Sequence, residues 1–247
     1  MSIVLITGGS RGLGASIALE CARRGMGVVL TFNNRRDAAE VVVERIASEG
    51  GTAVALPLDV ADSAGFPAFR AALIAALRAH WGREGFDALV NNAGFGLYNP
   101  IETVTEAQFD SLYKVHLRGP FFLTQLLLSL LAEGGQIVNM ASATARVATV
   151  GVAPYAAFKS GLEVMTRYMA KEFGARGLRA NAIAPGPIRT EFGGGLTPDF
   201  ETVLAGQTAL GRIGEAVDVG AMVASLPGPE NAWINGQTIE VSGGYAI

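Results

Sequence analysis

The chain has 247 residues, of which half are hydrophobic, with a formal net charge of −3 and one cysteine. No apolar run approaches the roughly 18 residues that a membrane span needs, and no basic block favours nucleic acid or an anionic membrane as partner. A single cysteine excludes an internal disulfide, and a strand-like run from Ile3 leaves no room for a signal peptide, so we expect a cytoplasmic protein.

Apolar, β-branched runs alternate with longer helical patterns along the chain. The predicted strands are 2–9, 26–32, 52–60, 86–94, 135–142, 178–186 and 236–244. The predicted helices cover 12–24, a segment opened by a capping box of Asp37 and Glu40, 66–80, 106–131, and a segment that starts at Pro154. This alternation predicts an α/β fold, a doubly wound parallel sheet in one domain spanning 1–247.

The longest irregular region follows the predicted strand 178–186. It contains three consecutive glycines, Gly193 to Gly195. Because open α/β sheets bind ligands at the carboxyl ends of their strands, we expect a mobile substrate lid at about 186–212. A surface excursion without function is the alternative.

A glycine-rich turn, TGGSRGLG at 7–14, joins the first strand to the first helix. Glycines let the backbone approach a pyrophosphate closely, and a helix N-terminus offers free N–H groups and a positive dipole. The turn therefore predicts a dinucleotide site, although a tight turn without a ligand would have the same pattern. The expected contacts are Gly8, Ser10, Arg11, Gly12, Leu13 and Gly14.

The end of the second strand indicates which dinucleotide is bound. NAD-binding chains usually have an acidic residue there for the ribose hydroxyls, whereas this chain has Asn33 followed by Arg35 and Arg36. No carboxylate is expected to repel a 2′-phosphate, and Arg11, Arg35 or Arg36 could attract one. We therefore predict NADP(H), with surface solvation as the alternative role of each arginine.

The segment PYAAFKSG, 154–161, places a tyrosine four residues before a lysine. Residues at i and i+4 lie on the same face of a helix, so Tyr155 and Lys159 are expected one turn apart. An amphipathic helix with one snorkelling lysine would give the same octapeptide.

Taken together, these segments resemble the short-chain dehydrogenase/reductase family, most of all 3-oxoacyl-acyl-carrier-protein reductases and related carbonyl reductases. The motifs that carry the resemblance are TGGSRGLG, LDV at 58–60, NNAG at 91–94, Ser142, YAAFK at 155–159, PGPIRT at 185–190 and GQTIEVSGGY at 236–245.

The resemblance implies a Rossmann-like sheet of about seven strands and a homotetramer or homodimer packed through the late helices. It implies NADPH-dependent reduction of a ketone to a secondary alcohol, and no metal. The further cofactor contacts that it implies are Asp59, Val60, Asn91, Ala93, Gly94, Tyr155, Lys159, Pro185, Gly186, Ile188 and Thr190. Asn91 could equally be a structural turn residue.

Three side chains carry the expected chemistry. Tyr155 is the candidate general acid, and Ser142 would orient the carbonyl oxygen toward it. Because an unperturbed tyrosine has a pKa of about 10, we expect the ammonium of Lys159 to lower that value.

One position departs from the family pattern. Most members have an asparagine in NLxG, where it holds a water in a proton relay to the lysine, and this chain has His116 in VHLRG. An imidazole can donate, accept and titrate near neutral pH, so His116 is a fourth candidate catalytic residue. A tolerated helix residue is the alternative.

Substrate contacts are expected from a mostly apolar set: Phe95, Leu97, Ala143, Arg146, Val147, Val152, Phe192 and the lid. An aliphatic or aromatic ketone or an acyl thioester would fit. Docking of an acidic acyl carrier protein would depend on Arg176 and Arg179, because the turn before Ser142 has no basic residue. A polyol or sugar dehydrogenase and a non-catalytic NADP(H) sensor are the other readings.

Overall fold

A seven-stranded sheet forms the centre of the computed structural model, which describes residues 1–247. Its strands are β1 (Ile3–Ile6), β2 (Gly27–Phe32), β3 (Ala53–Pro57), β4 (Phe86–Asn91), β5 (Leu131–Met140), β6 (Arg179–Pro185) and β9 (Thr238–Val241), while β7 (Ile188–Arg189) pairs with β8 (Gly214–Glu215). All strand pairs of the large sheet are parallel, and their order is β3-β2-β1-β4-β5-β6-β9. The prediction of a Rossmann-like parallel sheet is confirmed.

Eight α-helices connect the strands: α1 (Gly12–Arg23), α2 (Arg36–Ser48), α3 (Phe66–Trp81), α4 (Glu106–Tyr113), α5 (Gly119–Leu127), α6 (Ala153–Phe173), α7 (Pro198–Gly206) and α8 (Ala216–Ser225). None of them combines the length and the apolar character needed to cross a membrane.

The strand β1 shows how the sheet is covered on both faces. Ile3 and Leu5 belong to one buried apolar cluster, and Val4 and Ile6 belong to the other. Since successive side chains point to opposite faces, a strand covered on both sides reads as an unbroken apolar run. The helices α3, α5 and α6 contribute to the first cluster, and α1, α2 and α8 to the second.

The strand order places the functional crevice. β1 lies between β2 and β4, so the chain leaves the centre of the sheet in both directions. At such a reversal the loops at the carboxyl ends diverge and leave a ligand-binding crevice. The glycine turn after β1 and the NNAG segment after β4 both lie at this point.

The predicted helix 106–131 is wrong in its continuity. It divides into α4, a π-helical segment Lys114–Arg118 and α5, and Leu131 already belongs to β5. The wider π turn carries His116, which is 1% exposed. Insertions of this kind are frequent at functional sites because they redirect a side chain.

Two further predictions need correction. The capping box of Asp37 and Glu40 does not form, because α2 begins at Arg36 and Asp37 accepts hydrogen bonds from Arg35 instead. The region 186–212 is not irregular throughout, since it contains β7 and α7. α8, which no prediction included, packs on α1 where a side chain at Gly220 would meet the Ser16 hydroxyl.

Candidate active site

Ser142 follows the carboxyl end of β5. Its hydroxyl oxygen accepts hydrogen bonds from the Thr144 backbone N–H at 3.2 Å and from the Thr144 hydroxyl at 2.9 Å. A serine hydroxyl has one proton to donate, and neither of these bonds uses it. Ser142 is therefore held in place while its own proton stays available for a third group.

Tyr155 and Lys159 lie on the first two turns of α6, with Pro154 in the opening turn as predicted. The Lys159 side chain is buried, and its Nζ donates to the carbonyl oxygen of Met140 at 2.5 Å. The same Nζ lies 5.5 Å from the centroid of the Tyr155 ring. The predicted stacking of the two residues is confirmed.

The electrostatics of this pair differ from the expectation. Burial raises the pKa of Tyr155 to about 12, and the Ser142 side chain acts in the opposite direction. Burial lowers the pKa of Lys159 to about 7. The pKa of Tyr155 is therefore raised because desolvation of the phenol exceeds the opposing effect of Ser142, and a lowering by Lys159 stays a prediction.

His116 is fixed between two segments. Its Nε2 lies 2.9 Å from the carbonyl oxygen of Phe95, which can only accept, so this nitrogen carries the proton. Nδ1 is buried without a hydrogen-bond partner. Burial, and then the charge of Lys159, lower the pKa of His116 well below its usual range, so the ring is neutral at pH 7. A side chain at Gly94 would lie 2.8 Å from this ring.

The glycine turn is braced by the segment after β4. The Thr7 hydroxyl accepts from the backbone N–H groups of Asn92 and Ala93 at 2.9 and 3.0 Å. The Asn92 amide donates to the carbonyl oxygens of Thr7 and Gly8 at 2.8 and 3.0 Å. Gly8 has a φ of +66°, and a Cβ there would lie 2.8 Å from Ala93 Cα. This close approach explains why the position needs glycine.

The N-terminus of α1 fits a dinucleotide phosphate. Arg11, the residue before the helix, makes no capping bond with its side chain, and the first turn contains no acidic residue. The free N–H groups of this turn therefore face the crevice with a positive dipole. Thr190 lies across the turn, because a Cβ at Gly12 would be 3.8 Å from its methyl group. Ser10, Leu13 and Gly14 belong to the same turn.

The arginines predicted near a 2′-phosphate each have a carboxylate partner. Arg35 binds Asp37 through two hydrogen bonds of 3.1 Å, and Arg36 binds Glu40 at 2.7 Å. All four side chains are exposed, so these pairs hold the arginines only weakly. Asn33 is exposed in the loop that precedes them.

The remaining predicted contacts fall into two groups. The Asn91 amide donates to Thr124 and Asn139 at 3.1 and 2.8 Å, so its side chain lies in a buried polar network, and the Val60 side chain lies in the core. The other group lies at or just beyond the carboxyl ends of β3, β4 and β6, or in and after β7: Asp59, Ala93, Gly94, Pro185, Gly186, Ile188 and Thr190.

Four rings line the expected substrate side. The centroid distances are 5.5 Å between Phe95 and His116, 5.0 Å between His116 and Tyr155, and 5.9 Å between Tyr155 and Phe192. We call these four residues the aromatic cluster. Phe192 belongs to the lid, where the φ values of the three glycines are all positive, at +65°, +97° and +83°. Side chains rarely adopt such angles, so the glycines permit this turn.

Arg146 has another role than the predicted substrate contact. It binds Glu240 through two hydrogen bonds of 3.0 and 2.7 Å and donates to the carbonyl oxygens of Tyr245 and Ala246. The loop after Ser142 is thereby tied to the end of the chain. Asn92, in contrast, braces the glycine turn and was not singled out; its place inside NNAG was the available signal.

The comparisons with known proteins all point to reductases. A family model described as enoyl-(acyl carrier protein) reductase matches residues 8–246. The hydroxynaphthalene reductase-like protein Arp2 of Metarhizium robertsii is 35% identical over 98% of this chain and 94% of its own length.

Two solved structures superimpose closely on the chain. The promiscuous reductase LugOII, which catalyses keto-reduction at C1 during lugdunomycin biosynthesis, has a TM-score of 0.95 at 33% identity, covering 100% of this chain and 98% of its own. The angucycline C-6 ketoreductase LanV with bound NADP has a TM-score of 0.95 at 30% identity, covering 99% and 95%. LanV is also known with NADP and rabelomycin.

Proposed function

Because the chain belongs to the short-chain dehydrogenase/reductase family, we propose that it reduces a ketone to a secondary alcohol with NADPH, with Tyr155 as general acid. One observation carries the proposal: Ser142, Tyr155 and Lys159 converge beside a glycine turn at the carboxyl edge of the sheet. A non-catalytic sensor would have no use for this set of groups.

The protonation state of Tyr155 suits reduction. With a pKa raised to about 12, the phenol carries its proton at neutral pH and can give it to a developing alkoxide. Ser142, whose proton the bonds with Thr144 do not use, would donate to the same carbonyl oxygen and orient it. NADPH supplies the hydride when it is bound.

The cofactor is NADP(H), as in the LanV complexes. The chain would hold its phosphates with the N–H groups of α1 and with Arg11. Arg35 and Arg36 follow β2, and no acidic residue stands between the end of that strand and Arg35. Lys159, on the face of α6 that carries Tyr155, is placed to donate to the nicotinamide ribose.

We place His116 as a positioning residue for Tyr155. Its ring meets the Tyr155 ring edge to face, and its bond to Phe95 fixes the orientation. A role as a titrating relay group is disfavoured by its neutral state. The bare Nδ1 can still accept a hydrogen bond, so a part in the proton relay stays a prediction.

The substrate that the site fits best is a flat aromatic ketone. The aromatic cluster includes Phe192, whose exposed ring is available to stack on an aromatic partner. Among the similar proteins, LanV is named as an angucycline C-6 ketoreductase and the Metarhizium protein as hydroxynaphthalene reductase-like. A polyol would leave these apolar walls without a partner.

Delivery of the substrate on an acyl carrier protein is disfavoured by the state of two arginines. Arg176 binds Glu133 and the carbonyl oxygens of Leu128 and Leu131. Arg179 donates to two backbone carbonyl oxygens as well. The positive charge expected to attract an acidic carrier is therefore committed within the chain.

Loss of NADPH absorbance with a panel of substrates tests the function. We expect a tetralone or a larger fused aromatic ketone to be reduced fastest, ahead of a 3-oxoacyl thioester, with no oxidation of polyols by NADP⁺. Tyr155→Phe should lower kcat about 100-fold or more while NADPH binding, followed by fluorescence titration, stays unchanged. Substantial turnover by the variant would refute Tyr155 as the acid.

The surface of α4, α5 and α6 points to self-association. These helices expose large apolar side chains: Phe109, Tyr113, Phe121, Phe122, Val164 and Tyr168. We call this set the helical apolar face. Apolar surface that gathers into one patch marks an interaction site, and we propose that this set forms such a patch and packs a homodimer or homotetramer. A cytoplasmic location stays a prediction.

A further inference from the structure

The lid carries a carboxylate that faces the arginine of the glycine turn. Glu191 Oε2 lies 3.5 Å from Arg11 Nη1, and both side chains are largely exposed. The two residues belong to segments far apart in the sequence, the turn after β1 and the lid after β7. This ion pair therefore joins the lid to the phosphate-binding turn.

Glu191 contacts Arg11, the residue that we expect to contact a phosphate of the cofactor. Arg11 precedes the free N–H groups of α1, and the first turn of this helix contains no acidic residue of its own. The field of Glu191 also reaches the second arginine of the predicted phosphate site: hydrogen bonding to Asp37 chiefly raises the pKa of Arg35, and the charge of Glu191 adds to this. One carboxylate of the lid thus pairs with Arg11, one of the arginines proposed for a 2′-phosphate.

The Glu191 pair differs from the other two arginine pairs. Asp37 and Glu40 stand on the same helix as their partners, or next to it, and do not move relative to them. Glu191 instead precedes Phe192, whose ring lies near Tyr155, and the three glycines that permit the turn. The pair with Arg11 is thus the one contact of Glu191 for which an incoming anion would compete.

We propose that Glu191 is a built-in competitor for the 2′-phosphate of NADP(H) at Arg11. Binding of the cofactor exchanges the carboxylate for the phosphate, which releases Glu191 from the glycine turn. Glu191 therefore lowers the affinity for NADP(H) and sets how strongly the chain distinguishes it from NAD(H). The inference depends on the proposed cofactor and not on the proposed substrate.

Bonds of Arg189 to α7 and β8 hold the rest of the lid in place when Glu191 leaves Arg11. Arg189 binds Glu201 of α7 through two hydrogen bonds of 3.0 and 2.9 Å and also binds Glu215. These bonds anchor the far end of the lid to β8. The exchange therefore frees the Glu191 side chain, while Phe192 and Gly193 stay packed against Gly96.

Equilibrium binding of NADPH and NADH to Glu191→Gln tests the competition without turnover. Because the Glu191→Gln variant loses both the bond to Arg11 and the repulsion of a 2′-phosphate, we expect the Kd for NADPH to fall about two- to tenfold. The Kd for NADH should stay within about twofold, because NADH has no 2′-phosphate. The matched control is Asp199→Asn, which removes a carboxylate of the lid that makes no ion pair and should change neither Kd.

The arginine is tested by a double-mutant cycle. In an Arg11→Gln background, Glu191→Gln should no longer tighten NADPH binding. An unchanged Kd in the single variant, an equal gain for NADH, or a gain that persists without Arg11 would each overturn the inference. If wild-type protein does not bind NADPH at all, the proposed function fails instead, so the two failures are distinguishable.

Discussion

The imidazole of His116 meets the phenol ring of Tyr155 edge to face, at 5.0 Å between centroids and 86° between planes. His116 is buried and Tyr155 is half-buried where α6 packs on the π-helical segment. Edge-to-face contacts of this kind contribute about 0.5–1.5 kcal/mol beyond area burial. The contact restrains the ring whose hydroxyl is the proposed acid.

His116→Asn is expected to lower kcat about tenfold and leave the KM for NADPH unchanged, because the smaller side chain loses the contact with Tyr155. The shape of the pH–rate profile should not change, since His116 is neutral across the working range. His80→Asn, at the surface end of α3, is the control. If the pH–rate profile of the wild-type protein has a limb near pH 6.5 that is lost only in the His116 variant, His116 titrates during the reaction and the positioning role is wrong.

Lys159→Met is expected to stabilise the protein while abolishing turnover. The folded pKa of about 7 lies below the unfolded value of about 10.4, so the buried charge destabilises the fold most below pH 7, and this penalty is relieved as the pH rises toward 10. The substitution also leaves the carbonyl oxygen of Met140 without its donor, which costs part of this gain. We therefore expect the free energy of unfolding to rise by about 1–2 kcal/mol. The Tm at pH 6 should rise by about 2–8 °C.

Thermal melts of this variant at pH 6 and pH 9 check the sign, because the gain should shrink at the higher pH. Lys171→Met on the exposed side of the same helix should change neither Tm. A lower Tm at pH 6 would show that the charged lysine stabilises the fold.

Cys21 is expected to be unreactive in the folded protein. It is 1% exposed, and burial chiefly raises the pKa of its thiol to about 12, so almost no thiolate is present at pH 8. A disulfide reagent at pH 8 should label the chain only after denaturant is added. Rapid labelling of the native protein would contradict the packing of α1.

Phe121→Glu combined with Tyr168→Glu is expected to reduce the assembly to a smaller species, because the charges would be buried in the helical apolar face. Light scattering coupled to size exclusion would measure the mass. Trp233→Glu, a fully exposed residue outside α4, α5 and α6, should leave that mass unchanged. A monomeric wild-type protein would refute the proposed interface.

The sequence-based predictions were accurate where one local pattern sufficed. The run around β1 is apolar at every position because both faces of the strand are covered, and Pro154 marks the start of α6 through its own backbone geometry. They were inaccurate where a neighbouring side chain competes with the backbone for the same hydrogen-bonding group. Asp37 had the spacing of a helix cap, but Arg35 takes its carboxylate.

By itself, the sequence determined the alternation of strands and helices, the glycine turn, and the stacking of Tyr155 over Lys159, because each depends on residues close together in the chain. Only the tertiary structure decided the pKa of Tyr155, the neutral state of His116 and the pairing of Glu191 with Arg11. These properties depend on burial and on charges brought together from distant segments, and no local pattern records either.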